Sequence, residues 1–188
     1  MSVRDEERRD GDTSDLELVH AGRSGDDSAL GTLVKRHHAA AYRVAVSLVQ
    51  EDDLAQDVVQ DAFMKAFRAL GGFRGDSSFR TWLLTITANE ARGALRRRGR
   101  RRETALEDAG PVESEEMGPA QAAIVAQEAG RARVMLEKLP EKQRLSVSLR
   151  IEEGLSFKEI GEVIGSSEGA ARVNYFHGIR RLRELMNE

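Results

Sequence analysis

Apolar positions recur at helical spacing through most of the 188 residues, and the places where they stop divide the chain. Ser14 and Glu17 form an S-x-x-E capping box, which opens a short helix carrying Leu16, Leu18 and Val19. After a turn over residues 22–27, the series Ala29, Leu30, Leu33, Val34, His37, Ala41, Ala45, Leu48 and Val49 predicts a helix that ends near residue 50. A third helix is predicted over residues 53–69 and a fourth over 79–98, the latter apolar at Phe79, Trp82, Leu83 and Ile86. Between them, residues 70–78 are rich in glycine and serine and read as a loop. Residues 1–13 have no apolar period and are predicted to be disordered. Residues 99–120 read as a linker broken by Gly110-Pro111 and Gly118-Pro119, with helices resuming near residue 121.

The last third carries the most specific pattern. Ser156 and Glu159 form a second capping box, and Ile160, Val163 and Ile164 make one apolar stripe. Gly165 suits the left-handed backbone that ends a helix, and Ser166 or Ser167 can cap the next one. That next helix carries Arg172, His177, Arg180, Arg181 and Arg183. A short helix, a tight turn and a longer basic helix form a helix-turn-helix, whose second helix enters the DNA major groove. Arg172, Val173, Phe176, His177 and Arg180 share one stripe of it, whereas Ala171, Tyr175, Gly178, Ile179 and Leu182 face inward. Arginine clamps guanine O6 and N7 or a phosphate, and Val173 and Phe176 suit thymine methyls. Phe176 fits the core equally well.

The predicted fold is therefore all-α: two small helical domains, 14–98 and 121–188, joined by a flexible acidic linker over 99–120. Apolar residues make up 40% of the chain and charged residues 32%, enough for modest cores with broad solvated faces. The net charge of -3 hides a strong segregation. Residues 92–102 hold seven arginines and no acid, and residues 103–130 hold seven acids and no base. More positive charge is gathered there than a helix C-terminus requires, so Arg92, Arg96, Arg97 and Arg98 point to phosphate contact. The chain has no cysteine, which removes disulfides and thiolate metal sites. No apolar run approaches the roughly 20 residues that span a bilayer, and the N-terminus is charged, so the expectation is a cytoplasmic protein without membrane insertion.

Little suggests catalysis or a cofactor. The glycines of residues 71–75 follow a helix rather than a strand, which excludes a nucleotide-binding phosphate loop. Asp53, Asp57 and Asp61 lie on one helix face with no histidine at matching spacing, which makes a poor metal site and suits a solvated face. Adjacent His37 and His38 point about 100° apart on a helix, one to the core and one to solvent. One reading of these features is a stand-alone helix-turn-helix regulator of transcription.

The segments running from Asp53 to Phe67, from Phe73 to Leu83 and from Leu139 to Arg144 together carry a closer resemblance. In this combination and order the chain, from about Ser14 onward, resembles bacterial extracytoplasmic-function sigma factors. The resemblance implies a non-enzymatic subunit that binds core RNA polymerase and directs it to promoter DNA. The C-terminal domain would read the −35 element, and the N-terminal domain would recognise and melt the −10 element. It implies that the loop residues Phe73, Arg74, Ser77 and Ser78 hold a flipped base, with Phe73 stacking on it. It further implies that Asn89 contacts −10 bases, and it leaves Trp82 either core or a melting wedge, the core being favoured. Asp57, Gln60, Asp61 and Phe63 become a polymerase-docking face, and an anti-sigma factor becomes a regulator. The linker's polar, breaker-rich composition suits a spacer, and its uniform negative charge suits a nucleic-acid mimic in the polymerase. Val173, Asn174 and His177 depart from the serine and arginines common in the family, so the −35 sequence is this chain's own. Asp61 stands where glutamate is more usual.

Overall fold

The computed structural model describes residues 13–106 and 134–186, and within them seven fully bounded α-helices, one 3-10 turn and the helical residues 134–137 make up the regular structure. Helix α1 (Asp15–Arg23) opens with the complete Ser14–Glu17 capping box. The Asp26 side chain caps α2 (Asp27–Val49), accepting from the Ser28 and Ala29 amides. Helix α3 (Asp52–Arg68) leads through the 3-10 turn (Leu70–Gly72) into the loop before α4 (Phe79–Leu106). No strand occurs among the described residues.

Helices α2, α3 and α4 pack on one another, with α1 against α2. Leu33, Ala41, Ala45, Val58, Val59, Leu83 and Leu84 form the centre of this N-terminal unit. The predicted elements recur with end shifts of a residue or two, except that α4 runs past residue 98 to Leu106. Arginine is a good helix former, and no proline interrupts this stretch before Pro111. Residues 99–106, read from sequence as the start of the linker, therefore continue the helix. The predicted disorder of residues 1–12, the acidic linker beyond residue 106 and the first part of the helix from 121 lie outside the described residues; the end of that helix, residues 134–137, is helical.

The C-terminal unit comprises α5 (Glu141–Ile151), α6 (Phe157–Ile164) and α7 (Glu168–Met186). Leu145, Leu149, Leu155, Ile160, Val163, Ile164 and Ala171 bury its core. It packs onto the N-terminal unit along two seams, α5 against α2 and α6 against α4. Sequence patterning gives no sign of this docking.

Candidate nucleic-acid interface

The helix-turn-helix is built by local chemistry. Both halves of the Ser156–Glu159 capping box form, and Gly165 ends α6 in the left-handed conformation with φ 64°. Ser167 rather than Ser166 caps α7, its hydroxyl accepting from the Ala170 amide at 3.2 Å. Gly161 lets the turn close on α6: a Cβ there would lie 2.9 Å from the Ser166 carbonyl oxygen. Burial would raise the Glu159 pKa, but bonds from Ser156 and Thr81 with the nearby Arg80 charge hold the carboxyl below its ordinary value.

These devices present one face of α7 to solvent. Arg172, Val173, Phe176, His177 and Arg180 are all exposed, while Ala171 and Gly178 are buried and Tyr175, Ile179 and Leu182 are half-buried. Phe176, which sequence left between core and surface, is 58% exposed. Arg172 is held in place by Glu168 at 3.0 Å and by the Phe157 ring, 5.1 Å from its guanidinium carbon. Arg150 lies over the same ring at 5.0 Å.

The loop before α4 is arranged differently from the sequence expectation. Phe73 is buried, packed edge-on to Phe79 and tilted against Trp82 with ring centroids 6.0 and 5.0 Å away. Its ring is therefore part of the core, and stacking on a base would require it to leave that cluster. Arg23 ties the loop down by donating to the carbonyls of Leu70 and Phe73, a link that sequence reading missed because the partners lie far apart in the chain. Ser78 is engaged as the cap of α4, its hydroxyl accepting from the Thr81 amide at 3.0 Å. Arg74 and Ser78 are exposed and Ser77 is half-buried; with Asp15, His20 and Arg23 they line an open depression of about 740 Å³. Trp82 is half-buried against the core, and Asn89 is exposed about two turns further along α4.

Of the arginine run, Arg96, Arg97 and Arg98 are exposed. Arg98 pairs with Glu51. Arg92 is not free for phosphate in this arrangement: it is half-buried, and its Nε donates to Glu141 of the C-terminal unit at 2.9 Å. On α3, Asp57, Gln60 and Asp61 are exposed, but Phe63 is buried. The Phe63 ring lies parallel to His38 and is tilted against Phe67, which removes it from any docking face as an exposed contact. His37 is buried and bonded to Asp15 at 2.6 Å, and His38 is exposed, the division expected for adjacent helical histidines. Among the described residues no cluster of histidine and carboxylate side chains could hold a metal ion. No described helix is long and apolar enough to cross a membrane.

Comparison with known proteins identifies the family. Residues 33–101 match the family model of Sigma-70 region 2, and residues 129–182 match Sigma-70, region 4. The RNA polymerase sigma-H factor of Pseudomonas aeruginosa is 35% identical over 182 residues, covering 93% of this chain and 92% of that protein. The ECF RNA polymerase sigma-E factor of Escherichia coli is 37% identical, with 93% of each chain covered. Among solved structures, CnrH in complex with the cytosolic domain of CnrY matches with a TM-score of 0.70 and 28% identity, covering 93% of this chain and 98% of that one. The sigma factor RpoE of Bartonella quintana, in complex with the anti-sigma factor NepR, matches with a TM-score of 0.68 and 29% identity over 84% of this chain and 96% of that one. With both sigma regions in order and identity sustained along nearly the full length, the chain belongs to the extracytoplasmic-function sigma factors.

Proposed function

We propose that this sigma factor divides promoter recognition between its two helical units and carries out no chemistry of its own. The α7 face of Arg172, Val173, Phe176, His177 and Arg180 reads the −35 element in the major groove. In the N-terminal unit, Arg74, Ser77 and Asn89 serve the −10 element, and Arg96, Arg97 and Arg98 hold the phosphate backbone. Asp57, Gln60 and Asp61 on α3 dock core RNA polymerase, which places the protein in the cytoplasm beside that enzyme. An anti-sigma factor regulates it, a partner class seen in the complex of the Bartonella quintana relative.

The observation that carries this assignment is the exposure of a basic and apolar stripe on the second helix of a fully capped helix-turn-helix. The test is transcription in vitro by purified core polymerase over a random promoter library, with and without this chain. Addition of the chain should yield transcripts that share one −35 and one −10 sequence. Replacing Gln60 with alanine and Asp61 with lysine should abolish that activity and co-purification with core enzyme while leaving the helical fold intact, because exposed substitutions change stability by about 0.5 kcal/mol or less. Sequence-specific binding to duplex DNA without polymerase, and no promoter-dependent transcription with it, would mark a stand-alone regulator instead.

A further inference from the structure

The loop between α3 and α4 is held at its two ends. At the far end Ser78 caps α4, accepting from the Thr81 amide at 3.0 Å. At the near end Arg23, the last residue of α1, donates from Nε to the Leu70 carbonyl at 2.9 Å and from Nη2 to the Phe73 carbonyl. The Leu70 carbonyl also accepts from the Phe73 amide at 3.1 Å, so the arginine clamps a turn that the backbone has begun. Between these ends, residues 74–77 share no backbone hydrogen bond with the rest of the described residues. Gly75 sits in the left-handed region with φ 78°, and Arg74 pairs with Asp76 inside the loop itself. The placement of Arg74 and Ser77 therefore depends on where the chain leaves the core. Arg23 sets that point.

Helix α1 is a firm base for this clamp, and it lies before the residues that match Sigma-70 region 2. Leu18 and Val19 are buried, and Asp15 at its start accepts from Arg36 of α2 at 3.1 Å and is bonded to His37 at 2.6 Å. Its end approaches the turn closely: a Cβ on Gly22 would lie 3.3 Å from Cδ2 of Leu70. The His37 ring lies 5.5 Å from that of Phe79, which in turn packs edge-on to Phe73. The start of the loop is thus gripped through its carbonyls by Arg23 and through its ring by the core. We propose that Arg23 is a positioning residue for −10 recognition, whose fork on the Leu70 and Phe73 carbonyls preorganises the loop that presents Arg74 and Ser77 to DNA. The proposal rests on the assignment of those two residues to the −10 element. A planar guanidinium can bridge two carbonyls, whereas an ammonium is a point donor. Ordering the loop on folding removes that cost from the binding step.

If the released loop holds the competent arrangement about one time in ten, affinity for the −10 strand falls about tenfold. Arg23 lines the same depression as Arg74 and Ser77, so direct contact with a phosphate is the competing role, and lysine separates the two. Arg23→Lys keeps the charge at the end of α1 and loses the fork; Arg23→Gln loses both. The test uses holoenzyme assembled from core polymerase and the full chain. Its probes are a single-stranded −10 oligonucleotide and a duplex −35 fragment, both of the sequence selected from the promoter library. Both variants should bind the −10 oligonucleotide about tenfold more weakly, with −35 affinity and thermal midpoint as in wild type. In the free chain, the Gly72 and Phe73 amides should exchange hydrogen faster in both variants, while α2 and α3 exchange as before. Full −10 affinity in Arg23→Lys with loss in Arg23→Gln would make Arg23 a phosphate contact instead. Unchanged −10 affinity in both variants, or an equal fall in −35 affinity with a lower midpoint, would also overturn the positioning role. If wild-type holoenzyme selects no −10 sequence, the proposed division of promoter reading fails, and the Gly72 and Phe73 exchange rates still decide whether Arg23 holds the loop.

Discussion

His37 illustrates how one side chain ties burial to stability. Burial pushes the imidazole below its ordinary value of 6.5, Asp15 pulls it upward, and Arg80 and Arg36 add to the depression. Above 6.5 the histidine is neutral in both folded and unfolded chains and has no pH-dependent effect. Below it, the unfolded chain takes up a proton that the folded chain resists, so stability falls as the pH drops. Thermal midpoints at pH 7.5 and 5.5 should differ more for wild type than for His37→Gln. On α7, Arg172→Ala should cost about 1–3 kcal/mol against the preferred −35 sequence and relax preference at one base pair. Replacing Arg97 and Arg98 with alanine should weaken binding to all promoters alike and flatten the salt slope. Binding titrations at several salt concentrations distinguish the two, and uniform loss in both variants would remove the base-reading role of Arg172.

At the scale of elements, the helix-turn-helix depends on its cap and its close approach. Ser156→Ala removes the acceptor for the Glu159 amide and should cost about 1 kcal/mol of stability. Gly161→Ala is the stronger test, because the new methyl would press on the Ser166 carbonyl and the start of α7. An overpacked junction of this kind costs about 1–3 kcal/mol, so −35 affinity and the melting midpoint should fall together. If the midpoint holds while −35 affinity falls, the turn tunes the docking angle rather than the fold. The length of α4 is also set at this scale: helix-forming arginines carry it past residue 98 to Leu106.

For the whole molecule, the net charge of -3 is less informative than where the charges meet. The N-terminal unit offers Arg43, Arg80 and Arg92 to the C-terminal unit, which answers with Glu153 and Glu141. A partner that covered the proposed docking face on α3 would keep the chain from polymerase. We therefore expect an anti-sigma protein to bind one-to-one and to compete with core enzyme. A pull-down at fixed salt should recover the chain with one partner or the other. A ternary complex that still binds promoter would contradict occlusion.

The helices, their caps and the exposed stripe of α7 are legible in the sequence alone, because these depend on residues three or four apart. The Ser14 and Ser156 boxes, the left-handed Gly165 and the inward Ala171 are all local rules written within one turn of helix. Family resemblance supplied the polymerase and the promoter, which periodicity alone does not imply. The tertiary structure decided which aromatic and charged side chains are free. Phe63 and Phe73 can serve a surface or a core by composition, and only the neighbouring rings of His38, Phe67, Phe79 and Trp82 bury them. Arg92 belongs to a basic run by sequence, yet Glu141, far along the chain, takes its Nε. Glu153 is ordinary in its own segment, and it is buried and paired only because folding brings Arg43 and Arg80 to it. Pairings across such separations leave no periodic trace, since the chain between them is free to vary while the contact is kept.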